Sequence, residues 1–304
     1  MQRFEELKSW VKSLHPDSSF YLEFAAADAD FRRYFRVMFS PDETRILMDA
    51  PPDKVDIHPY VKVRNVFSML NVPTIYAYDV SRGFMELEDL GCVTYLTALQ
   101  QQGGSSTAYG LFMEAVDTLL ELQQASRSGL LPDYSHALLK YEMQLFPEWC
   151  VGKEWKKSLS VAQHQIWLDA MQRILAVVLA QARVFVHRDF IVRNLMVTPG
   201  RPGVLDFQDA VYGPITYDLV SLLRDAFVEF DEEFVIDIVV RYWEKARRVG
   251  LPVAATIDDF YRDFEWMGVQ RHLKVAGVFC RLWHRDGKDT VSYTHLRAHE
   301  TRED

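Results

Sequence analysis

Apolar positions in the N-terminal part of the chain follow two patterns. Phe4, Leu7, Trp10, Val11 and Leu14 recur at three- and four-residue spacing, which predicts a helix over 4–14. From Tyr21 to Phe39 the apolar residues come in strand-like runs on either side of a polar tip, Ala27-Asp28-Ala29-Asp30-Phe31-Arg32-Arg33-Tyr34. Two strands and a connecting loop are expected there. Residues 45–50 read as a third strand ended by Pro51-Pro52, and 75–78 and 84–87 as two more. Val61, Val63, Val66, Phe67 and Leu70 place a helix over 59–70. A short helix over 94–99 and a Gly/Ser break over 102–107 lead into a helical remainder, with helices over 109–123, 138–146, 166–182, 218–230 and 260–285.

One stretch interrupts those helices. Between Val184 and Asp218 lie three short apolar runs, Val184-Phe185-Val186, Leu195-Met196-Val197 and Val204-Leu205. The turn Thr198-Pro199-Gly200-Arg201-Pro202-Gly203 makes the second and third a β-hairpin. Such a hairpin brings Asn194 and Asp206 to one open end, beside the loop that carries Asp189. Phosphoryl transfer from ATP needs this donor set. Magnesium takes hard oxygen ligands, and an acceptor hydroxyl needs an oxygen to orient it and receive its proton. The kinase pattern H-R-D-x-x-x-x-N followed by D-F-G has this spacing. Here His187-Arg188-Asp189 precedes Asn194, and Asp206-Phe207-Gln208 follows. The bland alternative is a surface hairpin with solvated acids. The order of β-rich segment, polar turn and helical segment predicts an α+β, protein-kinase-like two-lobed fold. A β-rich nucleotide-binding lobe is expected over 1–90 and a helical lobe with the catalytic hairpin over 91–290.

The charges that would hold phosphate are less standard. The tip between the first two strands has no glycine, so Arg32 and Arg33 are the candidates there, against the alternative that they simply alternate across a strand. The third strand lacks the lysine of protein kinases. Lys54 is a possible substitute, against its reading as a surface lysine. Glu88-Asp89-Leu90-Gly91 ends the fifth strand in a short polar turn. Glu88 and Leu90 are the candidate hinge residues for adenine.

Composition narrows the class. The chain has 304 residues and a formal net charge of −9, which argues against a nucleic-acid partner. Its three cysteines, Cys92, Cys150 and Cys280, show no CxxC spacing and are expected to be free buried thiols in a reducing compartment. The N-terminus has no apolar signal core and no run is long enough to span a bilayer, so a cytoplasmic monomer with no membrane partner is expected. Residues 291–301, VSYTHLRAHET, resemble the in-frame translation of a sequencing adapter. Residues 291–304 are left out of the fold reading, the natural chain being expected to run on past Asp289.

The segments DADFRRYFRV, LEDLG with TYL, LFPEW, HRDFIVRNLM, GVLDFQDAVYGPITYDLVSLLRDAF and FYRDFEWMGVQRHLKVAGVF resemble the aminoglycoside phosphotransferase-like kinases. Within them they are similar to the cytoplasmic kinases that phosphorylate the anomeric hydroxyl of N-acetylmuramate and N-acetylglucosamine in cell-wall sugar recycling. The resemblance implies ATP and Mg2+ as cofactors and a small-molecule sugar as substrate. It gives Asp189 as catalytic base, Asn194 and Asp206 as magnesium ligands, and Asp218 as a cap or brace for the following helix. Gln208 and Asp209 are assigned to the sugar by proximity. Protein kinases carry a lysine two residues after the catalytic aspartate, where this chain has Ile191. Arg193 is the nearest replacement cation, its other reading being a pair with a loop carboxylate. Another alcohol of the same fold family (an aminoglycoside, choline or homoserine) and a pseudokinase binding module stay open as alternatives.

Overall fold

The computed structural model describes residues 2–27, 31–102 and 105–287. The elements run α1 (Gln2–Leu14), β1 (Tyr21–Ala27), β2 (Arg33–Ser40), β3 (Glu43–Asp49), α2 (His58–Val66), β4 (Ile75–Asp79), β5 (Phe84–Glu88), α3 (Tyr95–Gln102) and α4 (Ser105–Gln124). They continue with α5 (His136–Leu145), a π-helical segment (Phe146–Glu154), α6 (Val161–Ala180), β6 (Arg183–Val186), β7 (Leu195–Met196), β8 (Gly203–Val204), β9 (Val211–Pro214), α7 (Tyr217–Leu223), α8 (Glu232–Arg248) and α9 (Ile257–Asp286).

The chain folds as two compact units. Unit 1 comprises Met1–Cys92 together with Met196–Asp209, and unit 2 comprises Val93–Leu195 and Ala210–Asp304. The segment Met196–Asp209 was expected within the helical lobe, but it packs with unit 1. The cause is apolar: the Phe207 ring lies 4.7 Å from that of Tyr60 and 6.2 Å from that of Phe67. Asn71 also bridges to Gly203.

Unit 1 is built on an antiparallel sheet of order β1-β2-β3-β5-β4. One face of it buries Phe35, Val37, Leu47 and Phe84 against Leu7, Trp10 and Val11 of α1. That apolar stripe on α1 is the one its sequence spacing predicts. The β4–β5 turn needs Gly83, whose φ is +69° and at which a Cβ would lie 1.8 Å from the Ala50 carbonyl oxygen. Helix α2 ends at Val66, earlier than expected. Phe67 and Leu70 leave the helix but remain buried.

Unit 2 is helical around the paired strands β6 and β9. Strand β9, helix α8 and the π-helical segment were not anticipated. Helix α9 packs closely on the end of α5 because Gly277 has no side chain: a Cβ there would lie 2.5 Å from the Leu145 carbonyl carbon. Three further expectations change. Residues 105–107 belong to α4, so the Gly/Ser break is shorter. Helix α7 stops at Leu223 instead of running to 230, with Arg224 at its C-cap in a non-helical conformation (φ −116°, ψ 39°). Of the cysteines, Cys150 and Cys280 are buried, with Sγ atoms 3.0 Å apart, but Cys92 is exposed. Asp28–Asp30 of the expected phosphate-covering tip and the adapter-like C-terminus lie outside the described residues. No described helix is long and apolar enough to cross a membrane.

Candidate active site

In unit 2 the loop after β6 carries the H-R-D-x-x-x-x-N sequence. Arg188 has φ +77°, a left-handed conformation costly for a residue with a Cβ, and it aims the next residue, Asp189. The strain is held from below by Asp218. Its fully buried carboxylate accepts the backbone N–H of His187 at 2.6 Å and of Arg188 at 3.0 Å. Asp218 was expected to cap or brace its helix. The N-cap position is Thr216, which makes no side-chain cap bond, and Asp218 in the first turn braces the catalytic loop instead. Burial pushes its pKa up to about 7 despite the two N–H bonds. The buried His187 ring accepts from the Asp189 N–H through Nδ1 at 3.3 Å.

The rest of the loop is fixed by backbone bonds. Asn194 N–H donates to the Ile191 carbonyl at 2.9 Å, and Asn194 Nδ2 donates to the Asp189 carbonyl at 2.9 Å. The N–H of Leu96 donates to the Val192 carbonyl at 3.0 Å. Burial alone would raise the Asp189 pKa. Lys274, Arg271 and Arg188 outweigh it and keep this carboxylate below its ordinary value. Yet among the described residues no donor hydrogen-bonds to the Asp189 carboxylate oxygens. Asp189 is thus held ionised by cations at a distance, with its oxygens left open.

Those cations come from a buried network that sequence reasoning missed. Arg188 pairs with Glu142 at 2.7 Å, and Tyr134 also donates to Glu142. Lys274 lies 3.4 Å from Glu142 and donates to the Tyr217 hydroxyl at 3.0 Å. Arg271 donates to the Arg188 carbonyl at 3.2 Å. A signal was present in the sequence: Arg271 and Lys274 continue the core stripe Phe260, Phe264 and Met267 of α9 at helical spacing. Charges on a core stripe indicate a buried polar function. Arg193 is not part of this network. It is exposed, with its guanidinium 4.5 Å from the centre of the Phe227 ring.

In unit 1, Asp206 follows β8 and has φ +61°, a second left-handed residue at a predicted site position. Its carboxylate accepts from Gln208 Nε2 at 2.7 Å and lies 3.6 Å from the buried Arg32 guanidinium. Gln208 Oε1 is buried with no hydrogen-bond partner among the described residues, while Asp209 is exposed. Arg32 and Arg33 take different roles. Arg33 is bound to the buried Asp49, which also holds Arg3. Asp49 thus stands at the end of the strand where a kinase lysine was sought. Lys54 is exposed and lies 3.6 Å from Asp53. At the expected hinge, Glu88 N–H donates to the Thr74 carbonyl at 2.8 Å, and the Glu88 carboxylate accepts from Thr74 N–H at 3.1 Å. Asp89 binds Arg36 at 2.6 Å, and Leu90 packs over Gly203.

The profile of the "Phosphotransferase enzyme family" matches residues 22–251. The N-acetylmuramate/N-acetylglucosamine kinase of Neisseria meningitidis serogroup B is 58% identical over 289 residues, 95% of this chain and 86% of that protein. The protein of the same name from Pseudomonas putida is 45% identical, over 87% of this chain and 77% of its own length. Among solved structures, a choline/ethanolamine kinase family protein from Mesorhizobium loti has a TM-score of 0.67 at 13% identity, covering 99% of this chain and 93% of its own. The ADP-bound aminoglycoside phosphotransferase APH(2'')-Ib has a TM-score of 0.61 at 16% identity, covering 92% and 91%. These distant structures share the fold, which bears out the α+β, kinase-like expectation. With its catalytic-loop sequence, its fold and the match over most of its length, the chain belongs to the phosphotransferase (APH) enzyme family.

Proposed function

We propose that this protein is an ATP- and magnesium-dependent kinase that phosphorylates the anomeric hydroxyl of N-acetylmuramate and N-acetylglucosamine, giving the sugar 1-phosphate. The observation that carries the chemistry is Asp189, an ionised carboxylate with open oxygens on a braced loop. The acceptor is taken from the similar kinases of Neisseria and Pseudomonas. Lys274, Arg271 and Arg188 around Asp189 disfavour a cationic acceptor such as choline or an aminoglycoside.

In this reading Asp189 accepts a hydrogen bond from the acceptor hydroxyl, orients its oxygen in line with the γ-phosphorus of ATP and takes its proton late in the transfer. The bond from oxygen to phosphorus forms as the bond to the ADP oxygen breaks. His187, Asp218 and Arg271 act through the backbone of the loop and keep Asp189 in place. Asn194 and Asp206 would hold magnesium. Both offer hard oxygens, and the Asn194 amide is oriented by its Nδ2 bond to the Asp189 carbonyl. Among the described residues no group of three or more His, Cys, Asp or Glu forms a metal cage, which suits an ion whose remaining ligands are phosphate and water. When bound, magnesium supplies neutralisation of the phosphate charge. Arg32, beside Asp206, is the unit 1 cation assigned to the phosphates, and Arg33 is assigned there less directly because Asp49 holds it. Adenine is assigned to Glu88–Leu90. The Glu88 N–H is already bonded to Thr74, which shifts the contact toward Leu90. Gln208 and Asp209 are assigned to the sugar, and the unpartnered Gln208 Oε1 is the specific support for the former.

The test is ATP consumption with a panel of free sugars, aminoglycosides, choline and homoserine. Turnover with the two N-acetylated sugars is expected. Turnover with choline or an aminoglycoside alone would overturn the substrate assignment and leave the kinase chemistry standing.

A further inference from the structure

Arg193 differs from every other cation near the catalytic loop. Arg188 is bound to Glu142 at 2.7 Å, and Lys274 donates to the Tyr217 hydroxyl at 3.0 Å. Arg271 is buried and donates to the Arg188 carbonyl, and Arg224 holds Glu232 at 2.8 Å and Glu265 at 3.0 Å. Arg193 has no carboxylate within ion-pair distance among the described residues. It is exposed, yet it is positioned. Its guanidinium lies 4.5 Å from the centre of the Phe227 ring, and that ring lies 6.3 Å from the ring of Phe279 on α9. The arginine therefore stacks on a ring that is itself packed against α9.

The location decides what such a group meets. Arg193 lies four residues after Asp189 and one before Asn194. Val192 is buried while Arg193 is exposed, so the loop turns this side chain outward. It is not among the cations that chiefly depress Asp189, which are Lys274, Arg271 and Arg188. A guanidinium stacked on an aromatic ring gives up little further freedom on binding, and its planar fork matches a carboxylate.

We infer that Arg193 is a specificity residue that binds the carboxylate of an acidic acceptor sugar. The inference rests on the function proposed above. N-Acetylmuramate differs from N-acetylglucosamine by a lactyl ether that carries one carboxylate. Bringing that anion near ionised Asp189 and the phosphates of ATP is unfavourable unless a cation meets it. Arg193 is uncommitted, planar and on the loop of the base. In the alternative role, holding the transferred phosphoryl group, Arg193 would serve both sugars alike.

The experiment compares kcat/KM for N-acetylmuramate and N-acetylglucosamine in the wild-type chain, Arg193→Met and Arg193→Lys. Loss of a charge-assisted contact in Arg193→Met should lower the N-acetylmuramate value about tenfold to a hundredfold. The N-acetylglucosamine value should hold within about threefold on the same scale. Arg193→Lys, which keeps the charge but not the fork, should fall between. An equal loss with both sugars would overturn the inference in favour of a phosphate contact, and so would no loss with either. A wild-type chain that phosphorylates neither sugar would instead bring down the substrate reading, and the inference with it.

Discussion

Asp49 in unit 1 and Asp189 in unit 2 are two carboxylates with basic side chains around them, put to opposite uses. Asp49 is fully buried and saturated: Arg3 and Arg33 both bond to it, and Arg3 continues to the Arg82 carbonyl. It ties α1 and β2 to the end of β3. Asp189 is only partly buried and receives no side-chain bond among the described residues, although three cations act on it. In unit 2 the hydrogen bonds of those cations are spent elsewhere, on Glu142, Tyr217 and the Arg188 carbonyl. Direct pairing makes a carboxylate structural. Charge held beyond hydrogen-bond reach keeps it ionised and available.

The two should therefore respond in opposite ways to the same substitution. In the proposed mechanism Asp189→Asn removes the proton acceptor and should lower kcat on the order of 10²- to 10⁴-fold, with the affinity for ATP and the melting temperature retained. Asp49→Asn leaves two arginines facing a neutral amide. Both arginines are partly exposed, so the loss is screened to about 1–3 kcal/mol of stability, with activity per folded molecule kept. Denaturant melts and initial rates on both variants check the pair. Asp189→Asn losing stability while Asp49→Asn loses turnover would break the contrast.

The smallest effect concerns the brace beneath Asp189. The folded pKa of Asp218, about 7, lies above the unfolded value of about 4. The folded state therefore holds the proton more tightly. The stability this contributes is present below pH ~4 and is lost as pH rises through ~7, at a slope of at most about 1.4 kcal/mol per pH unit. Asp218→Asn should flatten that slope between pH ~4 and ~7. Identical pH profiles of melting temperature in the two proteins would contradict a buried, proton-holding Asp218.

The loop proposed to be catalytic was legible in the sequence because its pattern is local. Asp189, Asn194 and Asp206 sit at fixed spacing around short strands and a Pro/Gly turn. The five strands of unit 1 were legible for the same reason, since period-two runs and turn residues are local signals. What stayed hidden is long-range. Glu142 reaches Arg188 and Lys274 across 46 and 132 residues of chain, and neither pairing leaves a trace in spacing. Asp218 looked like a helix cap because its position in the first turn of α7 is locally ordinary; only the fold puts its carboxylate under His187 and Arg188. The left-handed φ of Arg188 and Asp206 was equally invisible, since non-glycine residues take that conformation only where tertiary contacts impose it. The stop of α7 at Leu223 was also missed, because apolar periodicity continues through residues 226–230 after the backbone has left the helix.

The position of the phosphate in the product tests the central claim most directly. The protein is incubated with ATP, magnesium and N-acetylmuramate, and the product is assayed for a free reducing end before, and for released phosphate after, treatment with mild acid. Transfer to the anomeric oxygen predicts a blocked reducing end and a phosphate released by mild acid. An acid-stable phosphate on a sugar that still reduces would place the transfer on another hydroxyl and contradict the account.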